Sequence, residues 1–325
     1  MATAATLDAV VRAAGPQLGS LMERVEARLA ALASGYGPLL SHHAGETIAA
    51  GGKRLRPLLV LLAAGDPPRK AADRLLRSAV AVELIHSASL VHDDVLDRAP
   101  TRRGRPTVFA AAGRTAATAT GDLLFSRAFA ELAAGGEADD VRALSAASSA
   151  LAQGELMQRE DAWDVAVPLA RYLERCELKT GALFEAACRL GALAGGGPAD
   201  ELAAFGRAIG LAFQLLDDVL DVSGPASRTG KARGTDLLDG TVTLPLIVAR
   251  ERDPALAATD LRALRSGADT EAICDRIAAT GALAEAKERA LAVVAGAKAA
   301  LPASLPPAQR ATLELVADGV VERYA

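Results

Sequence analysis

Residues 87–97 read Ser-Ala-Ser-Leu-Val-His-Asp-Asp-Val-Leu-Asp, and residues 210–221 read Gly-Leu-Ala-Phe-Gln-Leu-Leu-Asp-Asp-Val-Leu-Asp. The same pentapeptide closes both. Its outer acids, Asp93 with Asp97 and Asp217 with Asp221, stand at i and i+4, on one helical face about one turn apart. An apolar run that ends in such a pair reads as a core-facing helix whose end looks into a cleft. Two of these helices facing each other make an acidic pocket. Hard divalent cations fill carboxylate sites of that kind, and they commonly hold phosphates.

Working outward, apolar residues recur at helical spacing almost throughout, as at Leu21, Val25, Leu29 and Leu32, or Leu283, Ala286, Ala290 and Val293. Alternating strand-like runs are scarce, and the abundant alanine and leucine favour helix. Glycine and proline place breaks at residues 35–38, 65–68, 98–106, 135–136, 195–198, 223–234 and 301–307. The expectation is an all-α protein of about ten or more helices. No break resembles a long flexible linker and the two acidic motifs need each other, so residues 1–325 are expected to form a single domain.

The net charge of −4 argues against a general nucleic-acid binder. Cys176, Cys188 and Cys274 lack metal-ligand spacing and read as small buried side chains in a reducing compartment. The N-terminus carries no signal-peptide pattern, and no uncharged apolar run reaches the roughly 18–20 residues that cross a bilayer. A soluble, cytoplasmic protein is expected.

His86, Ser89, Asp93 and Asp97 share a helical face, and Arg102-Arg103-Gly104 follow in a loop. Aspartates at a helix C-terminus oppose the macrodipole unless a cation compensates. The second copy runs into a basic, glycine-rich segment containing Gly230, Lys231, Arg233 and Gly234, where the backbone can approach an anion closely. It lacks the Gly-x-x-x-x-Gly-Lys-Ser/Thr spacing, and no strand precedes it, which excludes a P-loop. Gly51-Gly52-Lys53-Arg54-Leu55-Arg56-Pro57 gathers three cations beside two glycines, and Lys179-Thr180-Gly181 interrupts a helical pattern. Two unit charges 5 Å apart at an effective dielectric near 20 interact by about 3 kcal/mol. Four carboxylates would therefore repel a diphosphate unless Mg²⁺ bridged them. Metal and basic residues on a diphosphate make it a leaving group, and the carbocation left behind needs an apolar cavity that excludes water.

These motifs resemble those of the trans-isoprenyl diphosphate synthases, the polyprenyl synthetase family, over roughly residue 45 onward. Residues 51–57 resemble the first basic motif, residues 93–97 with Arg102-Arg103-Gly104 the first aspartate-rich motif, and residues 213–221 the second. Gly121-Asp122, Gln153-Gly154-Glu155, Lys179-Thr180, Gly230-Lys231 and Thr243-Leu244-Pro245 follow in family order.

The resemblance implies the isoprenoid synthase fold, an antiparallel helical bundle around a central cavity, usually a homodimer. It implies that Asp93, Asp97, Asp217 and Asp221 hold Mg²⁺, about three ions per site, with Asp94 and Asp218 as supporting acids. Arg102, Lys179, Thr180, Gln214 and Lys231 would bind an allylic diphosphate or stabilise its departure. Gly52, Lys53, Arg56, His86 and Arg103 would bind isopentenyl diphosphate. Ionisation gives an allylic cation, the isopentenyl double bond attacks it, and a proton passes to the released diphosphate.

Two positions depart from the common pattern. Thr241 stands where many members have lysine, and Phe109 where many have histidine. Heptaprenyl-type catalytic subunits also carry a neutral polar residue at the first position, so Thr241 does not imply inactivity.

Ala88 and Ser89, five and four residues before Asp93, lie where short-chain members often place aromatic side chains as a floor under the growing tail. Their small size implies a product of about C30 to C50 made from farnesyl or geranylgeranyl diphosphate. A floor set deeper, by Phe125 or Phe129, would shorten it to about C20 or C25. A terpene synthase of related fold would leave Lys53, Arg56 and Arg103 unexplained. A non-catalytic partner subunit would usually have lost one acidic motif, and both are intact. A long apolar product suggests transient contact with a membrane surface.

Overall fold

The computed structural model describes residues 9–10, 12–224, 233–264 and 266–322. Fifteen α-helices and one two-residue-strand hairpin are described. The helices are α1 (Pro16–Leu32), α2 (Pro38–Ala49), α3 (Leu55–Ala63), α4 (Ala72–Leu96), α5 (Val108–Ala133), α6 (Ala138–Glu160), α7 (Leu169–Cys176), α8 (Ala182–Gly195), α9 (Ala199–Ser223), α10 (Thr235–Leu238), α11 (Leu244–Arg250), α12 (Pro254–Ala257), α13 (Gly267–Ala279), α14 (Ala282–Ala299) and α15 (Pro307–Glu322). A π-helical turn, Glu177–Gly181, joins α7 to α8. The expected all-α class is thus observed.

The expected breaks fall between helices, and the local chemistry explains them. Gly37 takes φ 80°, open to glycine, and Pro38 then starts α2 with its φ already helical. Residues 161–168, between α6 and α7, form a further connection that glycine and proline spacing alone does not mark.

α4 and α5 run antiparallel along each other. His92 in α4 lies against Gly121, while Arg77, near the start of α4, meets Gly135 just after α5. A Cβ at Gly121 would sit 2.2 Å from the His92 Nε2, so only glycine admits the ring there. Phe125 stacks on that ring, with centroids 5.6 Å apart. α8 packs against α3, α4, α6 and α9 and so occupies the middle of the bundle. Gly191 makes this possible, since a Cβ there would come within 2.0 Å of the Val60 carbonyl oxygen. One continuous apolar core, from Val10 to Val320, includes Leu58, Leu59, Leu84, Ile85, Phe184 and Leu190. Each such fully buried side chain contributes about 1.5–3 kcal/mol. Cys176, Cys188 and Cys274 are buried and free, and burial pushes the Cys188 thiol up to about 12. Among the described residues, no helix is long and apolar enough to cross a membrane.

Candidate active site

The last turn of α4 divides two cavities. Asp97 is the C-cap residue, Arg98 takes a left-handed φ of 51°, and the Ala99 N–H closes on the Asp94 carbonyl at 3.0 Å. This termination points Asp97 into one cavity and Asp94 into the other.

The Asp97 cavity, about 150 Å³, is also lined by Gln158 and Arg159 of α6, Lys179 and Thr180 of the π turn, Gln214 and Asp218 of α9, and Asp236, Asp239 and Thr241. Gly154 sets its back wall. A Cβ there would lie 2.5 Å from the Lys179 backbone nitrogen, so the glycine lets α6 touch the π turn. Glu155 then meets the Lys179 ammonium directly, and Gln158 accepts from the same ammonium at 3.2 Å. Burial disfavours the Lys179 charge, but Asp93 and Glu155 outweigh it and raise its pKa. Burial raises the Asp93 carboxyl to about 6 against the pull of Lys179, and Glu155 and Asp97 push it the same way. Asp97 receives the Arg159 guanidinium at 2.5 Å, and the Nε of the same arginine donates to Glu155 at 2.8 Å.

On the facing wall, Thr180 donates to the Gln214 oxygen at 2.7 Å, and the Gln214 amide donates to Asp218 at 2.7 Å. The Tyr172 hydroxyl donates to the second Asp218 oxygen at 2.6 Å. Burial, then the charge of Asp236, raises Asp218 to about 8. Asp217 is exposed and Asp221 half-buried, and Asp221 accepts from the Asp236 N–H at 3.3 Å. Gly230 and Lys231 lie outside the described residues.

The second cavity, about 360 Å³, is lined by His42, His43, Glu46, Glu83, His86, Asp94, Arg102 and Arg103 among others. Arg103 and Gly104, at φ 54° and 74°, form the two-residue turn of the hairpin between β1 (Thr101–Arg102) and β2 (Arg105–Pro106). The turn lays the Arg103 guanidinium on Gly52, where a Cβ would stand 3.0 Å from its Nη2. Arg102 bonds to Asp94 at 2.8 Å and so borders this cavity rather than the Asp97 cavity. Arg56 stacks on the Phe184 ring at 4.6 Å, and burial lowers it to about 10. Its Nε is buried without a hydrogen-bond partner among the described residues. Burial, followed by Arg56, Arg103, Arg102 and Arg54, drives His86 well below its ordinary pKa, so the imidazole is neutral. Arg54 is spent on structure, since it bonds to Glu26, Glu83 at 2.7 Å and the Ile48 carbonyl at 3.0 Å. Lys53 is exposed.

Among the described residues, no three His, Cys, Asp or Glu side chains close around a single metal position. The donor set is nonetheless one of carboxylate oxygens on opposite walls, which suits a hard divalent cation that takes its remaining ligands from phosphate oxygens. A cation there would relieve the cost of charging Asp93, which burial disfavours.

Ala88 is fully buried, Ser89 is buried with its hydroxyl on the His86 carbonyl at 2.9 Å, and neither borders the two cavities. The sequence reading missed Arg159, Asp236, Asp239 and Tyr172. The i, i+4 spacing of Glu155 and Arg159 was the one local signal available.

The family model for Polyprenyl synthetase matches residues 38–280. The chain is 43% identical over 231 residues to the heptaprenyl diphosphate synthase component 2 of Geobacillus stearothermophilus, covering 70% of this chain and 72% of that one. It is 35% identical over 283 residues to the geranylgeranyl diphosphate synthase of Methanosarcina mazei, covering 84% and 86%. A polyprenyl synthase structure from Caulobacter crescentus, complexed with calcium and isoprenyl diphosphate, superposes with a TM-score of 0.87 at 34% identity, over 98% of each chain. With matching family model, relatives and architecture around two neighbouring cavities, the chain belongs to the polyprenyl synthetase family and is a prenyltransferase.

Proposed function

We propose that the protein is an Mg²⁺-dependent synthase that condenses isopentenyl diphosphate with farnesyl or geranylgeranyl diphosphate into an all-trans polyprenyl diphosphate of about C30 to C50. The observation that carries this reading is the pair of cavities on either side of one helix turn. One combines acids with Lys179, Thr180 and Gln214, and the other gathers Arg103 beside a neutral His86.

Asp93 and Asp97 of the first copy, with Asp217 and Asp221 of the second, would hold Mg²⁺. When bound, the ions would neutralise the charge that develops on the departing allylic diphosphate. Lys179 and Thr180 sit on a wall held rigid by the Gly154 contact, so they would orient the diphosphate without reorganising. Lys231 would add a cation from the segment after α9. Across the α4 turn, Arg103, Arg56, Lys53 and His86, with Gly52 admitting Arg103, would place isopentenyl diphosphate so that its double bond attacks the allylic carbon. Arg102 would join the allylic site by leaving Asp94.

The small Ala88 and Ser89, together with the heptaprenyl-type relative, support the long product; the geranylgeranyl relative keeps a product of about C20 as the second reading. The name "component 2" of the first relative favours one further possibility, a catalytic subunit that works beside a second chain. Otherwise the protein acts as a homodimer. The test incubates pure protein with Mg²⁺, labelled isopentenyl diphosphate and either primer, then sizes the products. Incorporation into chains of about C30 to C50 is expected. No incorporation, alone or with added partner protein, would overturn the reading.

A further inference from the structure

Arg159 lies outside every motif of the sequence reading, yet it holds a proposed metal ligand. Its Nη2 donates to Asp97 at 2.5 Å and its Nε to Glu155 at 2.8 Å. Asp97 caps α4, at the negative end of the helix dipole, and so demands a cation. The other cations lining this cavity are committed elsewhere. Lys179 bonds to Glu155 and Gln158, and the buried Arg175 bonds to Asp161 and the Val242 carbonyl.

We propose that Arg159 is a diphosphate-binding residue kept in reserve: it neutralises Asp97 before metal arrives and turns to the diphosphate afterwards. The inference rests on the reading above and extends it to a residue that reading does not use. The Arg159–Asp97 pair is about one-third exposed on each side, so it is held weakly and exchanges readily. A divalent cation carries twice the charge and displaces the guanidinium from Asp97. Nε stays on Glu155, one helical turn back, which keeps the planar fork at the cavity wall. The freed Nη2 then meets the phosphate oxygens, for which a guanidinium fork is well shaped. Metal and diphosphate would therefore bind cooperatively through one arginine.

Calorimetry separates the two halves of the exchange without relying on turnover. With Mn²⁺ alone, Arg159→Leu should bind the metal about threefold or more tightly, because its competitor is gone. With inorganic diphosphate at saturating Mg²⁺, the same variant should bind about tenfold more weakly, and Arg159→Lys should recover part of that loss. Thermal melts of both variants check that the fold is retained. If wild-type protein binds Mg²⁺ and diphosphate but Arg159→Leu matches it in either titration, the exchange is wrong and the proposed function stands. If wild-type protein binds no diphosphate with Mg²⁺, both readings fall.

Discussion

At the end of α4, the middle acid of Asp-Asp-Val-Leu-Asp is buried against a cation, Asp94 on Arg102 at 2.8 Å. Its twin in α9, Asp218, is equally buried but accepts from two neutral groups, the Tyr172 hydroxyl and the Gln214 amide, and is raised to about 8. The outer acids differ as well. Asp97 caps its helix and takes a guanidinium, whereas Asp221 lies two residues before the end of α9 and takes a backbone N–H. Spacing within the pentapeptide sets which acids share a face. The elements packed around each copy set which acid is charged and with what it pairs.

The largest effect should come from removing an outer acid. Asp93→Asn is expected to lower the rate of isopentenyl incorporation by about 10³ or more. A rate within tenfold of wild type would refute its metal role. Gly154→Ala acts on the wall that serves both copies. Its methyl would meet the Lys179 backbone rather than a flexible side-chain tip. A loss of about 1–3 kcal/mol in urea unfolding is expected, with a fall in turnover as Lys179 shifts. Full stability in the variant would mean that the contact relaxes at no cost.

A third comparison uses pH, in EDTA. Asp218 has a folded pKa of about 8, above its unfolded value, so the folded state binds its proton more tightly. The stability it contributes is present at low pH and is lost as pH rises through about 8. Stability of the metal-free protein should decline between about pH 4 and 8, and Asp218→Asn should flatten that slope. An unchanged slope would assign the titration elsewhere. The smallest effect on rate is expected from Ala88→Phe, beneath the first copy alone. Chromatographic sizing should show a shorter product, with melts to register the overpacking of a fully buried position. Unchanged product length would remove Ala88 from the floor.

Much of this architecture is legible in the residues. The 3.6-residue apolar spacing and the glycine and proline breaks lead to the helices, and the repeated pentapeptide leads to the two walls. What escapes depends on contacts distant in sequence. Arg54 and Arg56 look alike in a basic run, yet Glu26 and Glu83 take the first while the second lies on Phe184. Arg159 reads as a solvated helix-end cation until α4 brings Asp97 to it from 62 residues away. Residues 101–106 read as a loop, since a two-residue ladder is too short to show alternation.

The π turn at Glu177–Gly181 bears on which changes of length the chain can absorb. Before it, Tyr172 and Arg175 face Asp218 and Asp161; after it, Phe184 faces Arg56 and Phe213. Rewinding the turn to an α-helix by deleting one of its residues would leave both halves near their present faces, whereas deleting one residue outside the turn would rotate one half against the other by about 100°. Either Asp218 would lose its phenol or Arg56 its ring. The surface connection at residues 134–137 can gain or lose residues with little consequence, whereas the helical run from α7 to α8 keeps its residue count everywhere except at this turn.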